Sequence, residues 1–318
     1  MFQGQTQGYS GFLMPNREAI SLIKKNKSNK NHLLPFLTGD DMLGNKDSQP
    51  SRHSIDFSFA EDVLAVRAVD DLYEILHNKV YPEVEQNAIL EREGKIKPNG
   101  RENHLKTWWH MWRRRTEMLN RLEGISRYIS CSRVSTRPTF EFISSKIRPN
   151  DALIVFGFDD YYSFGIINSL LHIRWYQEKC STMKGDPRYT KSTIWDTFPW
   201  PQNPTENNIK EVAKVAQELY IKRIQVLKEY NLTLRELYRT IEEPGKNPIS
   251  KLHQKLDETV MKVYGFDPKV DILTQLLKLN QQVAERENNK EPVQAPGLPE
   301  FYTKPKELIT DDCVKFNL

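Results

Sequence analysis

The side chains of this 318-residue sequence that could do chemistry are mainly cations, and they are concentrated in one stretch. Residues 101–148 contain eleven Lys or Arg and four Glu, a net charge of +7 within a chain whose total is +4. Basic charge confined to one stretch is typical of a surface that binds a polyanion. The alternative, a solvated helix that happens to be rich in arginine, stays open because charge runs alone are weak evidence.

The centre of this stretch is WWHMWRRR, residues 108–115, where tryptophans and arginines are interleaved. Apolar periodicity predicts a helix after Gly100 that ends at Gly124, with the tryptophans on one side and Arg113 and Arg114 on the other. Guanidinium groups suit phosphate oxygens and the guanine edge, so these two arginines are candidate nucleic-acid ligands. A tryptophan platform for bases is possible chemistry, but tryptophans at helical spacing more often form core.

A second polar cluster lies in STMKGDPRYTKSTIWDTFPWP, residues 181–201. Its short loop can present Lys184, Asp186 and Arg188 to a partner, and a strand-like segment is predicted from Arg188 to Trp195. The prolines at 199 and 201 can continue neither a helix nor a central strand, so the chain is expected to turn there and enter another domain.

The elements that must position these residues predict an α+β fold. Strand-like segments at 128–134, 139–144, 152–158 and 161–164 are separated by short turns, which favours antiparallel pairing, and a helix at 165–178 is expected to pack on that sheet. Arg133, Ser135 and Arg137 have the i, i+2 spacing that lets them project together from one rim of the sheet. A further helix is expected at 60–80 and is predicted to end at Tyr81-Pro82.

Beyond Pro201 the pattern becomes helical, with four amphipathic segments and an S/T-x-x-E capping box at Thr233. We therefore predict a mixed or antiparallel-sheet domain at residues 1–203 and a small all-α domain at 204–285. Residues 286–318, rich in Glu, Lys, Asn and Pro, are predicted to be a loosely ordered tail.

The sequence offers little support for autonomous catalysis. It has no Gly-rich phosphate loop, no GxSxG elbow, no HExxH and no Asn/Asp-Pro-Pro-Tyr/Phe tetrapeptide. The carboxylate pairs Asp40/Asp41 and Asp159/Asp160 are more typical of turns than of metal sites, and the three cysteines lack metal-ligand spacing, so no metal is expected. No run approaches the ~18 apolar residues of a membrane span and no signal peptide is evident, so a cytoplasmic location is expected.

Several motifs in a fixed order resemble the C-terminal half of the MmeI-like, type IIL restriction-modification and adenine-specific DNA methyltransferase family. They are FQGQTQGYSGF, HSIDFSF, WWHMWRRR with RYISCSRVS, DALIVFGFDDYYSFGIINSLLHIRW, STMKGDPRYTKSTIWDTFPWP, and the LTLRELY and VYGFD segments. The similarity extends from about Phe2 to about Glu285.

The resemblance implies a domain that reads a short sequence in double-stranded DNA for N6-adenine methylation. It implies that Lys184, Asp186 and Arg188 read bases, while Arg113, Arg114, Arg133, Ser135, Arg137 and Tyr189 are candidates for backbone contacts. The nuclease and methyltransferase domains of the family are missing, so residues 1–50 are expected to form the junction to the methyltransferase. Methyl transfer from S-adenosylmethionine must then come from a partner domain or subunit, with no cofactor bound by this chain.

Two other functions remain open on the sequence alone. One is an enzyme with an unrecognised site, such as a nuclease that uses Asp40/Asp41 or Asp159/Asp160. The other is a non-enzymatic module whose basic segment docks an acidic protein.

Overall fold

The computed structural model describes residues 1–183 and 186–316, and for Thr182 and Met183 the backbone alone. It confirms the α+β class. One four-stranded antiparallel sheet has the order β1 (Phe2–Gln3), β8 (Leu153–Phe156), β5 (Arg127–Ser132) and β6 (Glu141–Ser144). The strands predicted near 128, 139 and 152 are therefore present, and short turns do pair them in antiparallel fashion.

A second four-stranded sheet contains β2 (Leu13–Pro15), β4 (Arg52–Ile55), β3 (Leu33–Leu37) and β7 (Arg148–Pro149), in that order. Its pairs are antiparallel except for β3 with β7. The segment expected to be an interdomain junction, residues 1–50, thus contributes strands to both sheets. A separate hairpin joins β9 (Ser181–Met183) to β10 (Asp186–Arg188).

Seven α-helices lie in the N-terminal half of the described chain, and they pack in two apolar clusters, one with the second sheet and one with the first. They are α1 (Asn16–Lys25), α2 (Gly39–Gly44), α3 (Val63–Arg67), α4 (Asp70–Lys79), α5 (Tyr81–Arg92), α6 (Arg101–Leu105) and α7 (Thr116–Glu123). The prediction that Tyr81-Pro82 ends a helix is only half right, because Pro82 also lies in the first turn of α5. A proline costs nothing there, since the first amides of a helix have no partner within it.

The predicted continuous helix over WWHMWRRR is wrong. Helical structure stops at Leu105 and resumes at Thr116. Between them the amide of Arg113 donates to the carbonyl of Thr6 (3.0 Å), and that of Thr6 donates to the carbonyl of Arg113 (3.2 Å). Trp108 and Trp109 are 7% and 6% exposed in an apolar cluster, so the core interpretation is confirmed for these two.

The predicted strand at 161–164 is also wrong, because these residues begin α8 (Tyr161–Asn168). The Asp160 carboxylate caps the helix by accepting the Ser163 amide (2.7 Å), a local bond that fixes helical backbone despite the aromatic, strand-like composition. Helix α9 (Leu170–Lys179) follows after a break at Ser169.

Four helices follow the Pro201 corner, as predicted: α10 (Glu206–Glu229), α11 (Leu234–Thr240), α12 (Pro248–Tyr264) and α13 (Ile272–Asn288). Thr233 forms the predicted capping box with Glu236. One apolar cluster includes Ile129 of β5, Ile166 of α8 and Leu256 of α12, so a single core extends across the predicted boundary at 203/204.

The last segment is better ordered than the composition predicts. Tyr302, Leu308 and Val314 are buried, and Val314 exchanges backbone hydrogen bonds with β6 at Phe142 (2.8 Å) and Ser144 (2.9 Å). The prediction of a loosely ordered tail from 286 is therefore wrong. Long-range pairing with a strand edge supplies the order that its polar composition could not.

A buried ion pair joins the helical unit to the first sheet. The Arg223 guanidinium of α10 donates to the Glu141 carboxylate (2.9 Å) and to the Phe140 carbonyl (2.8 Å), and its side chain has no exposed area. The Glu141 charge keeps the pKa of Arg223 above its usual value although burial acts in the opposite direction. The two ions therefore depend on one another in a largely buried site.

Replacing Arg223 by Met is expected to lower the free energy of unfolding by about 3–5 kcal/mol, since it leaves the Glu141 carboxylate buried without its cation. Urea unfolding at neutral pH measures the change. Arg239→Met, on the exposed surface of α11, is the control and should change the free energy by less than about 0.5 kcal/mol. Equal midpoints for the two variants would contradict a structural role for the pair.

Candidate nucleic-acid interface

The main cleft of the described chain gathers the basic residues that the sequence singles out. Its volume is about 850 Å³. The walls come from the start of the chain, the irregular segment before α7 with the first turn of that helix, Arg133 just after β5, and the end of β10 with the residues that follow it. Its cationic lining consists of Arg113, Arg114, Arg115, Arg133, Arg188 and Lys191.

The first strand holds one wall of this cleft. Arg115 donates to the Gly4 carbonyl (3.4 Å) and to the Gln3 side-chain oxygen (3.2 Å). A Cβ at Gly4 would lie 2.1 Å from the Asn150 carbonyl oxygen, so the FQGQTQG sequence needs glycine at this position. The close approach of β1 to the chain at Asn150 is thus what lets Gln3 meet Arg115.

A buried polar network fixes the arginine segment from behind. The Gln5 amide donates to the Arg114 carbonyl (3.0 Å) and to the Ser58 hydroxyl (3.2 Å), while the Arg114 guanidinium donates to the Ser58 carbonyl (3.1 Å). Asp56, which also accepts from Gln5, forms a largely buried ion pair with Arg148 (3.1 Å). Buried hydrogen bonds of this kind hold a backbone in one geometry, although the Gln5 Oε1 atom has no partner among the described residues.

The electrostatics of the cleft are dominated by like charges. Burial, and then the neighbouring Arg188, lower the pKa of Arg133, while burial and Arg113 lower that of Arg115. Within residues 1–183 and 186–316, no ion pair involves Arg113, Arg114, Arg115 or Arg133. The buried Nε of Arg133 also lacks a hydrogen-bond partner among them. An arrangement of this kind attracts anions.

Two of the three predicted base-reading residues, Asp186 and Arg188, lie on strand β10 of the hairpin. Arg188 lines the cleft, and Asp186 is exposed at the start of the same strand. Asp186 lies two residues before Arg188 on the same strand and is not among the residues that line the cleft. Lys184 lies outside the described residues. The predicted strand from Arg188 to Trp195 is wrong beyond Arg188, since Lys191–Trp195 forms a π-helical turn.

The predicted rim of Arg133, Ser135 and Arg137 is not a common surface. Arg133 faces the cleft, whereas the Arg137 guanidinium lies over the Tyr238 ring, 5.6 Å from its centroid, and lines a different pocket with His253 and Asp257. The Ser135 hydroxyl donates to the Arg137 carbonyl (2.6 Å) and its amide donates to the Pro187 carbonyl (3.1 Å). Ser135 therefore ties the chain after β5 to the hairpin, and its hydroxyl is engaged within the protein.

The structure does not support a phosphate contact by the Tyr189 side chain. Tyr189 is 1% exposed, and its hydroxyl lies 2.8 Å from Nε2 of His172. His172 has no exposed area, and its Nδ1 lies 2.7 Å from the Ile167 carbonyl oxygen, so it is a hydrogen-bonded core histidine. Tyr189 lines the cleft, but its hydroxyl group is directed to His172 in the protein interior.

Three of the four aspartates in the two carboxylate pairs have structural partners. Asp41 forms a capping box with Thr38 at the start of α2, and Asp40 forms an exposed ion pair with Arg235 (3.0 Å). Asp160 caps α8, as described above. No group of three or more potential metal ligands occurs among the residues described. Of the cysteines, Cys131 is buried, whereas Cys180 and Cys313 are partly exposed.

Several residues of the cleft were not predicted from the sequence, notably Arg115, Lys191, Trp112 and His104. Arg115 and Trp112 were visible as members of WWHMWRRR, but a helical projection assigns Trp112 to the core side. The signal that could have corrected this is the preceding FQGQTQG segment, whose glycines mark a close backbone approach.

Comparison with known proteins identifies the class of this segment. Residues 100–202 match the family described as MmeI, target recognition domain, which confirms the resemblance seen in the motifs. They contain Arg113, Arg114, Arg115, Arg133, Arg188 and Lys191, and hence the cationic lining of the cleft.

Two relatives extend the comparison. The fold is similar to a solved structure of the type IIL restriction-modification enzyme MmeI in complex with DNA, with a TM-score of 0.68, 19% identity and coverage of 89% of this chain. DNA methyltransferase A of Bacillus subtilis (strain 168) is 30% identical over 130 residues, or 40% of this chain. The aligned parts span 35% of the solved chain and 14% of the B. subtilis protein.

The helices of the described residues were compared with the requirements for a membrane-spanning segment. None of their helices combines the length and the apolar composition that crossing a bilayer requires.

The buried His172–Tyr189 pair predicts a pH dependence of stability. Burial lowers the pKa of His172 to about 4, below its ordinary value of about 6.5, so unfolding takes up a proton between these values. The contribution of His172 to stability is present above pH ~6.5 and is lost as pH falls towards 4. In His172→Gln, the free energy of unfolding should therefore fall less between pH 7 and pH 5 than in the wild type, as measured by urea unfolding.

Tyr189→Phe is the matched control, since it removes the hydrogen bond to His172 but keeps the buried imidazole. Its curve against pH should keep the wild-type slope. Parallel curves for His172→Gln and the wild type would show that the histidine does not titrate in this way.

Proposed function

We propose that this chain is the sequence-recognition part of an N6-adenine DNA methyltransferase and restriction-modification system, and that the cationic cleft is its contact with duplex DNA. The observation that carries the proposal is the convergence of Arg113, Arg133 and Arg188 from three separate segments on one cleft. The family match over residues 100–202 supports it, because that family is a target recognition domain.

The proposal assigns two kinds of DNA contact to these residues. Arg113, Arg114 and Arg133 donate to phosphates and fix the register of the protein on the duplex. Arg188 and Asp186 on the hairpin read base edges, since a guanidinium donates to guanine O6 and N7 and a carboxylate accepts from cytosine N4. Lys184 is proposed as the third base-reading residue on the sequence pattern alone.

Methyl transfer is assigned to a partner domain or subunit that binds S-adenosylmethionine. The cleft itself does not suit that cofactor, because a cluster of guanidinium groups repels its sulfonium cation. This chain would select the site on DNA and present it. No reaction step is assigned to its residues.

The alternative functions have less support in the geometry. A nuclease needs carboxylates that are available to hold a metal, whereas Asp41 and Asp160 are engaged as helix caps. A module that docks an acidic protein would use the same cations without regard to base sequence. Binding measurements with duplexes of different sequence separate this function from the proposed one.

Removing one phosphate contact should weaken DNA binding and reduce its dependence on salt. For Arg133→Gln, log K against log[salt] for a mixed-sequence duplex of roughly 30 base pairs should have a slope smaller in magnitude by about 0.9. Fluorescence anisotropy between 50 and 200 mM salt measures it. The control Arg239→Gln removes an exposed arginine of α11 outside the cleft lining and should leave the slope unchanged. Identical slopes for both variants would place the duplex elsewhere.

Changing a base-reading residue should alter which sequences are selected. Asp186→Asn is expected to change the preference at one position of the motif that this chain enriches from a random duplex pool, since an amide can donate as well as accept. Arg113→Gln is the control and should weaken binding to all sequences alike. A motif unaltered by Asp186→Asn, or no motif for the wild type, would contradict base reading at this position.

A further inference from the structure

One tryptophan of the described chain lies outside its apolar cores. Trp108 and Trp109 belong to the N-terminal cluster, and Trp175, Trp195 and Trp200 belong to the main core. Trp112 is partly exposed and lines the cationic cleft beside Arg113 and Arg115. A large aromatic ring at a charged cleft contributes less to the core than its neighbours do.

Contacts of the Trp112 backbone and Cβ atom fix its position at the cleft. Its backbone amide donates to the Gln7 carbonyl (3.3 Å), and the residue after Gln7, Gly8, has φ +79°. A Cβ at Gly8 would lie 2.6 Å from Cβ of Trp112, so glycine permits the close approach. The chain is thus shaped to place this side chain at the cleft.

Other side chains fix the orientation of the indole. His104 meets it edge to face, with ring centroids 5.1 Å apart at 72°, and His104 is itself stacked on Tyr9 at 5.8 Å. The Arg113 guanidinium lies over the indole ring, 5.5 Å from its centroid. These contacts preorganise an aromatic surface next to cations, the combination that binds single-stranded bases by stacking.

Resting on the proposed function, we propose that Trp112 stacks on the ring of an unpaired nucleobase while the surrounding arginines hold the flanking phosphates. An indole carries no charge to offer a phosphate, and a paired base has both faces covered by its neighbours. The indole ring of Trp112 is therefore best suited to stack on a base that has left the DNA base stack. Trp112 would stabilise the locally opened duplex on which base chemistry depends.

The experiment compares two DNA duplexes that differ at one position. The probes are a fully paired duplex of about 20 base pairs and the same duplex with one extra, unpaired 2-aminopurine. The wild-type chain should bind the bulged duplex at least about five-fold more tightly, as expected of one base–aromatic stack, and should quench 2-aminopurine fluorescence.

Two substitutions separate stacking from simple apolar bulk. Trp112→Leu should abolish both the preference and the quenching, whereas Trp112→Phe should retain them in part. Circular dichroism and urea unfolding show whether either variant has lost its fold, and a folded Trp112→Leu protein that keeps the preference would overturn the proposal. The proposal is likewise wrong if the leucine and phenylalanine variants behave alike.

A charge-removing variant provides the second control. Arg133→Gln should weaken binding to both duplexes by the same factor and reduce the salt dependence, whereas Trp112→Leu should leave the salt slope unchanged. If the wild type binds neither duplex, the proposed function fails. If it binds both equally and does not quench the probe, stacking by Trp112 fails while DNA binding stands.

Discussion

The cationic cleft depends on a pair of backbone hydrogen bonds between Thr6 and Arg113. In a helix, successive arginines would be separated by about 100° around the axis and could not all face one side. Pairing with the chain after β1 replaces the helix with an irregular segment and ties that segment to the strand whose end carries Gln3. The positions of Arg113, Arg114 and Arg115 thus follow from a long-range contact, and their clustering costs electrostatic repulsion that the surrounding fold must offset.

The parts of the fold that were predictable from sequence are those with local causes. The four C-terminal helices follow from apolar period and caps such as Thr233, which act within a few residues. Strands β5, β6 and β8 follow from alternation and short turns. The family resemblance was equally readable, because its motifs are contiguous in the sequence. Of the candidate site, Arg113, Arg114, Arg133 and Arg188 were identified by residue type and do share the cleft.

What could not be predicted depends on contacts between distant residues. The break in the helix over WWHMWRRR requires knowledge of its partner near Thr6. The orientation of Arg137 towards Tyr238, and the burial of Tyr189 against His172, depend on how the helical unit and α9 pack on the first sheet. The i, i+2 spacing predicted that Arg133 and Arg137 lie on one side, because it assumes that the strand continues through both residues. The strand β5 ends at Ser132, before either of them.

The pairing of Val314 with β6 also affects the tendency of the protein to self-associate. In the first sheet β6 is an outer strand, and the polar backbone of such a strand is a template on which other chains can assemble. The segment around Val314 occupies that template within the same molecule. Proteolytic loss of this short segment would therefore expose the unpaired backbone edge of β6 and favour fibrous self-association. Every residue of the cleft would remain in the truncated polypeptide.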